Sequence, residues 1–250
     1  MRGGRRVECA RGKVLGGCSS INAMGYFRAH PADYDRWAAS GLTGWSYADA
    51  LPYFKKAEDW EKGGNAWRGS GGPLTTVRNK YPDPLVKAWF DAGKSAGYPF
   101  TEDHNGEHPE GFSMFQSTIR HGRRCNTAMA YLYPALKRPN LTLWKKTLAL
   151  KLVIEGGQAT GVEVSRNGSA ETVSAARSII VSGGVINSPQ LLMLSGIGDP
   201  KELSQHGIAC KVPLPGVGKN LQDHISCGIE FERKSDGPFV GLLRYDRIAL

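Results

Sequence analysis

A chain of 250 residues, 40% of them hydrophobic, can bury a core, which argues against a disordered or fibrous polypeptide. The formal net charge of +9 is diffuse, with Arg2, Arg5, Arg6, Arg11 and Lys13 at the start and Arg120, Arg123 and Arg124 in the middle; no nucleic-acid motif accompanies it, so it reads as a solvated surface or a local attraction for phosphates. Five widely spaced cysteines without a CxxC pair argue against a disulfide framework or a metal centre, and no apolar run reaches membrane-spanning length or forms a leader, so a non-exported, cytoplasmic protein is predicted.

In chain order, residues 12–22 (GKVLGGCSSIN) crowd small side chains around the apolar pair Val14 and Leu15, the composition of a loop that another surface can approach closely, with a helix start behind it. Gly16 and Gly17 expose their peptide groups, and the hydroxyls of Ser19 and Ser20 can cap a helix or meet a ligand. Helical spacing predicts helices over 31–37 and 46–60, the second with Ser46 as N-cap and Leu51, Phe54 and Ala57 on one face. The glycine-rich stretch 62–73 reads as a long loop or flap whose composition permits movement. Another helix is predicted over 83–97, with Leu85, Ala88, Trp89 and Ala92 as its apolar side.

From Leu141 the pattern changes to strands at 148–154, 161–165 and 171–175, joined at Gly156-Gly157 and at the stronger turn signal Asn167-Gly168. Residues 178–181 read as a short apolar strand, and Ser188-Pro189 as the start of a helix running to Leu194 and closed by Ser195-Gly196. A strand, glycine turn and helix would present backbone N–H groups to a phosphate, which makes Gly183 a candidate cofactor contact. Gly183-Gly184 is not GxGxxG, so a turn serving topology alone is equally open.

Two segments carry a resemblance. Gly12-Lys13-Val14-Leu15-Gly16-Gly17-Cys18-Ser19-Ser20-Ile21-Asn22, continuing through Tyr26, Arg28 and His30-Pro31-Ala32-Asp33-Tyr34-Asp35 to Trp37, resembles the first signature of the glucose-methanol-choline (GMC) oxidoreductases. Gly184-Val185-Ile186-Asn187-Ser188-Pro189-Gln190-Leu191-Leu192-Met193-Leu194-Ser195-Gly196-Ile197-Gly198 resembles the second. The likeness also covers Gly71-Gly72-Pro73 and the stretch from Pro215 to Asp223 and His224, and it is nearest to choline dehydrogenase-like bacterial members.

The resemblance implies a mixed α/β fold, made of a partial FAD-binding domain and part of a substrate-binding domain. In that reading 1–30 is a flavin-contacting loop and helix, and 31–140 a lid, helices and the start of the substrate domain; 141–224 supplies FAD-binding strands and the Ser188 helix, and 225–250 the start of a truncated substrate domain. It implies hydride transfer from the CH–OH group of a small-molecule alcohol to FAD, with an unknown electron acceptor. By similarity Val14 and the run Asn22, Ala23, Met24 and Gly25 lie against the flavin, Ala149 holds the adenine through its backbone, and Gly16, Gly17, Ser20 and Gly183 complete the cofactor contacts. Some relatives bind FAD covalently through a histidine immediately before the matching asparagine; Ile21 stands there and has no nucleophile, so noncovalent FAD is predicted.

The family's GxGxxG unit and catalytic histidine do not occur in this sequence, and no catalytic residue is assigned within it; the base is expected beyond residue 250. The chain therefore reads as the middle of a protein about twice as long. Two alternatives stay open: a noncatalytic fragment that needs a complementary chain, and a flavin-containing lyase of the same family. His224 is read as structural and Cys18 as a small buried space-filler. Core packing or helix contact is the expected role of Trp37, Trp45, Trp60, Trp67, Trp89 and Trp144.

Overall fold

The computed structural model describes residues 4, 6, 8–80, 83–224, 228, 230 and 232–234. The chain divides into two compact units, Met1–Leu141 with Glu232–Leu250, and Thr142–Phe231. Cys227 and most of the 225–250 segment lie outside the described residues.

In the first unit, α1 (Pro31–Ala39) starts where Pro31 occupies the first helical position, at which a missing N–H costs no bond, and the His30 Nδ1 accepts from the Ala32 N–H. Helix α2 (Tyr47–Ala57) begins at a capping box in which Ser46 and Asp49 satisfy each other's N–H groups. Tyr34 joins the two helices. It is buried, and its ring lies 5.3 Å from Trp37, 5.7 Å from Tyr47 and 5.9 Å from Phe54.

The predicted helix over 46–60 ends early, because Glu58–Trp60 leaves it as β1. This strand runs parallel to β2 (Leu74–Arg78), and β3 (Gln116–Ser117) adds antiparallel on the other edge of β2. A parallel pair cannot be joined by a tight turn, so the glycine-rich loop 62–73 is the crossover that this pairing requires. It is not a free flap. Arg68 at its middle is fully buried and the Gly69 N–H donates to Glu58 at 3.0 Å, which pins the loop to β1.

Helix α3 (Pro84–Ser95) faces inward with a stripe other than the predicted one. Leu85 is exposed and Trp89 is 60% exposed with its ring centre 6.1 Å from that of Phe112, whereas the half-buried Phe90 ring meets Phe100 at 5.4 Å and Phe112 at 6.4 Å, and Gly93 is buried under Phe112. Both stripes are apolar, so periodicity alone does not separate them; the missing side chain at Gly93 lets the ring seat and selects the stripe through Val86, Phe90 and Gly93. Strands β4 (Ile119–Arg120) and β5 (Arg123–Arg124) form a hairpin. A π-helical turn (Ala128–Leu132) and the short α4 (Tyr133–Ala135) follow.

In the second unit, β6 (Thr147–Glu155), β7 (Gln158–Arg166) and β8 (Ser169–Ser174) form an antiparallel meander, with the predicted strands each somewhat longer. At the β7–β8 turn, Asn167 and Gly168 have φ of 51° and 84°, the left-handed pair that matches strand twist. Helix α5 (Gly184–Leu194) packs on β6, and the Leu152 N–H donates to Ser195 Oγ at 2.7 Å. It begins at Gly184, ahead of the predicted Ser188-Pro189 start, and Pro189 lies inside it. Residues 178–181 do not form the predicted strand. A strand exists as part of a ladder, no described residue pairs with this segment, and Ile180 is 86% exposed. The short β9 (Ile197–Gly198), α6 (Pro200–Gln205) and β10 (Val212–Pro213) complete the unit, with β10 parallel to β9.

Candidate functional site

The candidate site in the first unit is the turn 12–25. Val14 is 60% exposed, Gly16 has φ 92°, and a 3-10 turn (Gly17–Ser20) follows. The chain then turns again at Met24, whose φ of 61° is unusual for a residue with a side chain. Val14, Asn22, Ala23 and Gly25 are exposed, and Gly16, Gly17, Ser20 and Met24 are half-buried. The turn thus presents the apolar side chains of Val14, Leu15 and Ile21, one carboxamide and a run of small residues.

A second segment fixes this shape from behind. Ser20 Oγ donates to the Leu15 carbonyl at 2.9 Å and receives the Asn126 Nδ2 at 2.9 Å. Ser19 Oγ accepts from the Thr127 N–H at 3.0 Å, and Thr127 Oγ1 donates to the Gly16 carbonyl at 3.2 Å. From β5, Arg124 Nη1 donates to the carbonyls of Ser19 (3.2 Å) and Asn22 (2.6 Å) and to Asn22 Oδ1 (2.9 Å). Thr118 closes the far end, where its N–H donates to the Met24 carbonyl at 3.0 Å and Gly25 bridges to Ser117.

Beyond the turn, Tyr26 and Arg28 run into a buried polar cluster. Glu58 accepts from Arg28 Nη2 at 2.8 Å, from Arg68 Nη2 at 2.6 Å and from Thr76 Oγ1 at 2.8 Å. Arg68 also grips Asp103 at 2.7 and 2.8 Å and Gln116 at 3.0 Å, and its guanidinium lies 3.8 Å from the Trp60 ring centre. The Tyr26 carbonyl accepts from Asn105 Nδ2 at 3.0 Å, and His104 Nε2 lies 3.2 Å from it.

The electrostatics follow from this packing. Burial alone would raise the Asp103 carboxyl, but hydrogen bonds from Gln116 and Arg68 and the guanidinium charge hold it below the usual carboxylate value. Burial lowers the His104 imidazole, with Arg68 reinforcing the effect, while it raises the Tyr26 phenol.

Ala149 and Gly183 belong to the second unit. Ala149 is exposed on β6 opposite Val164, and Gly183, also exposed, precedes α5. His224 is exposed at the edge of the described residues. Cys18 is exposed and not the buried space-filler predicted: the 3-10 turn carries it outward, and its Sγ accepts weakly from the Gly12 N–H at 3.5 Å. Of the tryptophans, Trp60 is buried, Trp67 half-buried, and Trp37, Trp45, Trp89 and Trp144 exposed. Arg124, Asn126, Thr127 and the Glu58–Arg68 pair were not legible as site residues, because each acts on a segment distant in sequence and none belongs to a motif of spaced chemistry.

Residues 2–226 match the GMC oxidoreductase family model. The oxygen-dependent choline dehydrogenase of Brucella anthropi is 52% identical over 92% of this chain and 42% of its own length. That of Sinorhizobium fredii is 52% identical over 88% of this chain and 40% of its own. Among solved structures, pyridoxine 4-oxidase from Mesorbium loti aligns with a TM-score of 0.81 and 38% identity over 86% of this chain and 42% of that one. An FAD-dependent oxidoreductase from Chaetomium thermophilum aligns with a TM-score of 0.82 and 32% identity over 88% and 40%. The chain thus spans about 42% of the length of the curated relatives it matches. Two signatures, a family model that covers nearly all of it and relatives at half identity lead to one conclusion: the chain belongs to the GMC oxidoreductase family.

Proposed function

We propose that this chain is part of an FAD-dependent oxidoreductase that acts on the CH–OH group of a small-molecule alcohol, and that the turn 12–25 holds the flavin. The observation that carries this reading is the turn itself. Its exposed Val14, Ala23 and Gly25 offer a low surface that a flat ring can approach, and Asn22 adds a polar edge. Gly16, Gly17, Ser20 and Met24 shape the turn from within; we assign Ala149 to the adenine by family similarity and Gly183 to a phosphate by its place at the start of α5. When bound, FAD supplies the hydride acceptor; the residues of this chain orient it, and none is assigned the alcohol proton.

The alcohol of this chain's relatives named choline dehydrogenase suggests choline or a similar amino alcohol as substrate. Ile21 precedes Asn22 and lacks a nucleophile, which supports noncovalent attachment. The four described cysteines, Cys9, Cys18, Cys125 and Cys210, are free thiols, which supports a reducing cytoplasmic compartment. No described helix is long and apolar enough to cross a membrane.

Titration of the purified chain with FAD tests the reading. Quenched flavin fluorescence with a perturbed flavin absorption band is expected, and acid precipitation should release all the flavin into the supernatant. Unchanged flavin fluorescence at saturating protein would overturn flavin binding by this chain, and flavin retained in the pellet would overturn noncovalent attachment.

A further inference from the structure

The Asn22 carboxamide is held in one orientation. Its Oδ1 accepts from the Met24 N–H at 3.0 Å and from Arg124 Nη1 at 2.9 Å, so two donors meet one end of the amide. An exchanged amide would set NH2 against both donors, which fixes the assignment of oxygen and nitrogen. The Nδ2 end has no hydrogen-bond partner among the described residues and sits on an exposed residue. Arg124 has no acidic partner among the described residues either: its contacts are the three oxygens of Ser19 and Asn22. Its neighbours Asn126 and Thr127 hold the other end of the same turn, so 124–127 acts as one clamp on 16–22.

We propose that Arg124 is a positioning residue that locks the Asn22 amide with its oxygen inward, so that Asn22 Nδ2 is the hydrogen-bond donor the turn presents to an acceptor on the bound cofactor. This rests on the flavin reading above, and it separates three things that Asn22 does. Its carbonyl and Oδ1 are used up by the protein, the Met24 turn depends on Oδ1, and only the NH2 group remains for a ligand. All three acceptors share one nitrogen, Arg124 Nη1, held at a fixed place on β5.

The test uses the full chain with two substitutions and two readouts. Asn22→Asp keeps Oδ1 for Arg124 and Met24 but replaces the donor, so FAD affinity should fall at least tenfold while amide exchange at Met24 stays as slow as in the unsubstituted chain. Arg124→Gly should speed Met24 amide exchange at least tenfold without FAD present, and millimolar guanidinium should restore both the protection and part of any FAD affinity. Unchanged Met24 protection in Arg124→Gly overturns the lock, and full FAD affinity in Asn22→Asp overturns the donor role. If the unsubstituted chain binds no FAD, the flavin reading fails and the donor role fails with it, whereas the exchange readout still decides the lock.

Discussion

At the scale of single residues the first unit turns on Glu58. It is fully buried and faces two guanidiniums, Arg28 and Arg68, while Arg68 also answers Asp103. Such a cluster is expensive to desolvate but costlier to break, because removal of one member leaves charge buried without compensation. Glu58→Gln should therefore destabilise the chain by about 3 kcal/mol or more, read as a lower urea midpoint; an unchanged midpoint would show that the cluster contributes nothing net. His104 and Asp103 give the unit a pH signature. Both bind protons more weakly folded than unfolded, so the unfolded chain takes up more protons as the solution is acidified. Their stabilisation is full above the ordinary histidine value of 6.5 and is lost as pH falls, first through His104 and then, below the ordinary aspartate value of 3.8, through Asp103. His104→Gln should flatten the stability profile between neutrality and the carboxylate range; a profile that keeps its full slope there would assign the loss to other groups.

At the scale of elements, α3 shows what periodicity carries and what it omits. The α3 helix is legible from the spacing of Leu85, Ala88, Trp89 and Ala92, as the α2 start is from Ser46. The inward face of α3 is not, because two apolar stripes compete and the choice depends on Phe112, distant in sequence. A Cβ on Gly93 would lie 2.8 Å from the Phe112 ring, so the gain in helix propensity on adding a side chain is offset by overpacking. Gly93→Ala should be destabilising by about 1 kcal/mol and Gly93→Val by about 2 or more, with the loss visible in denaturant midpoints; a stabilised Ala variant would mean that the ring moves freely. The same limit explains the rest. The β6–β8 meander was legible because its pairs are local and its Asn167-Gly168 turn has its own chemistry. The parallel β1–β2 pair, the buried Arg68 and the Arg124 clamp were not, since each joins segments that sequence spacing does not relate. For the candidate site, the turn 12–25 was readable from its small residues and its family likeness, and the residues that hold it in shape were not.

At the scale of the whole molecule, the division into two units has a chemical consequence along the chain. The second unit, Thr142–Phe231, is one continuous stretch, and the passage into it runs through Lys145 and Lys146, both exposed and outside any strand. Lys146 has φ 53°, a left-handed conformation without a ladder on its N-terminal side, so this backbone can be drawn into a protease cleft without breaking sheet bonds. Within the units, Lys151 lies inside the β6–β7 ladder, paired with Glu163, and Arg68 is buried. Brief digestion with trypsin should therefore cut first after Lys137, Lys145, Lys146 or Arg177 and leave the β6–β8 meander whole. Peptide mapping of the earliest products checks this. First cuts inside β6–β8, or after Lys55 and Lys56 at the end of α2, would show that the units are not the cooperative bodies that their internal packing implies.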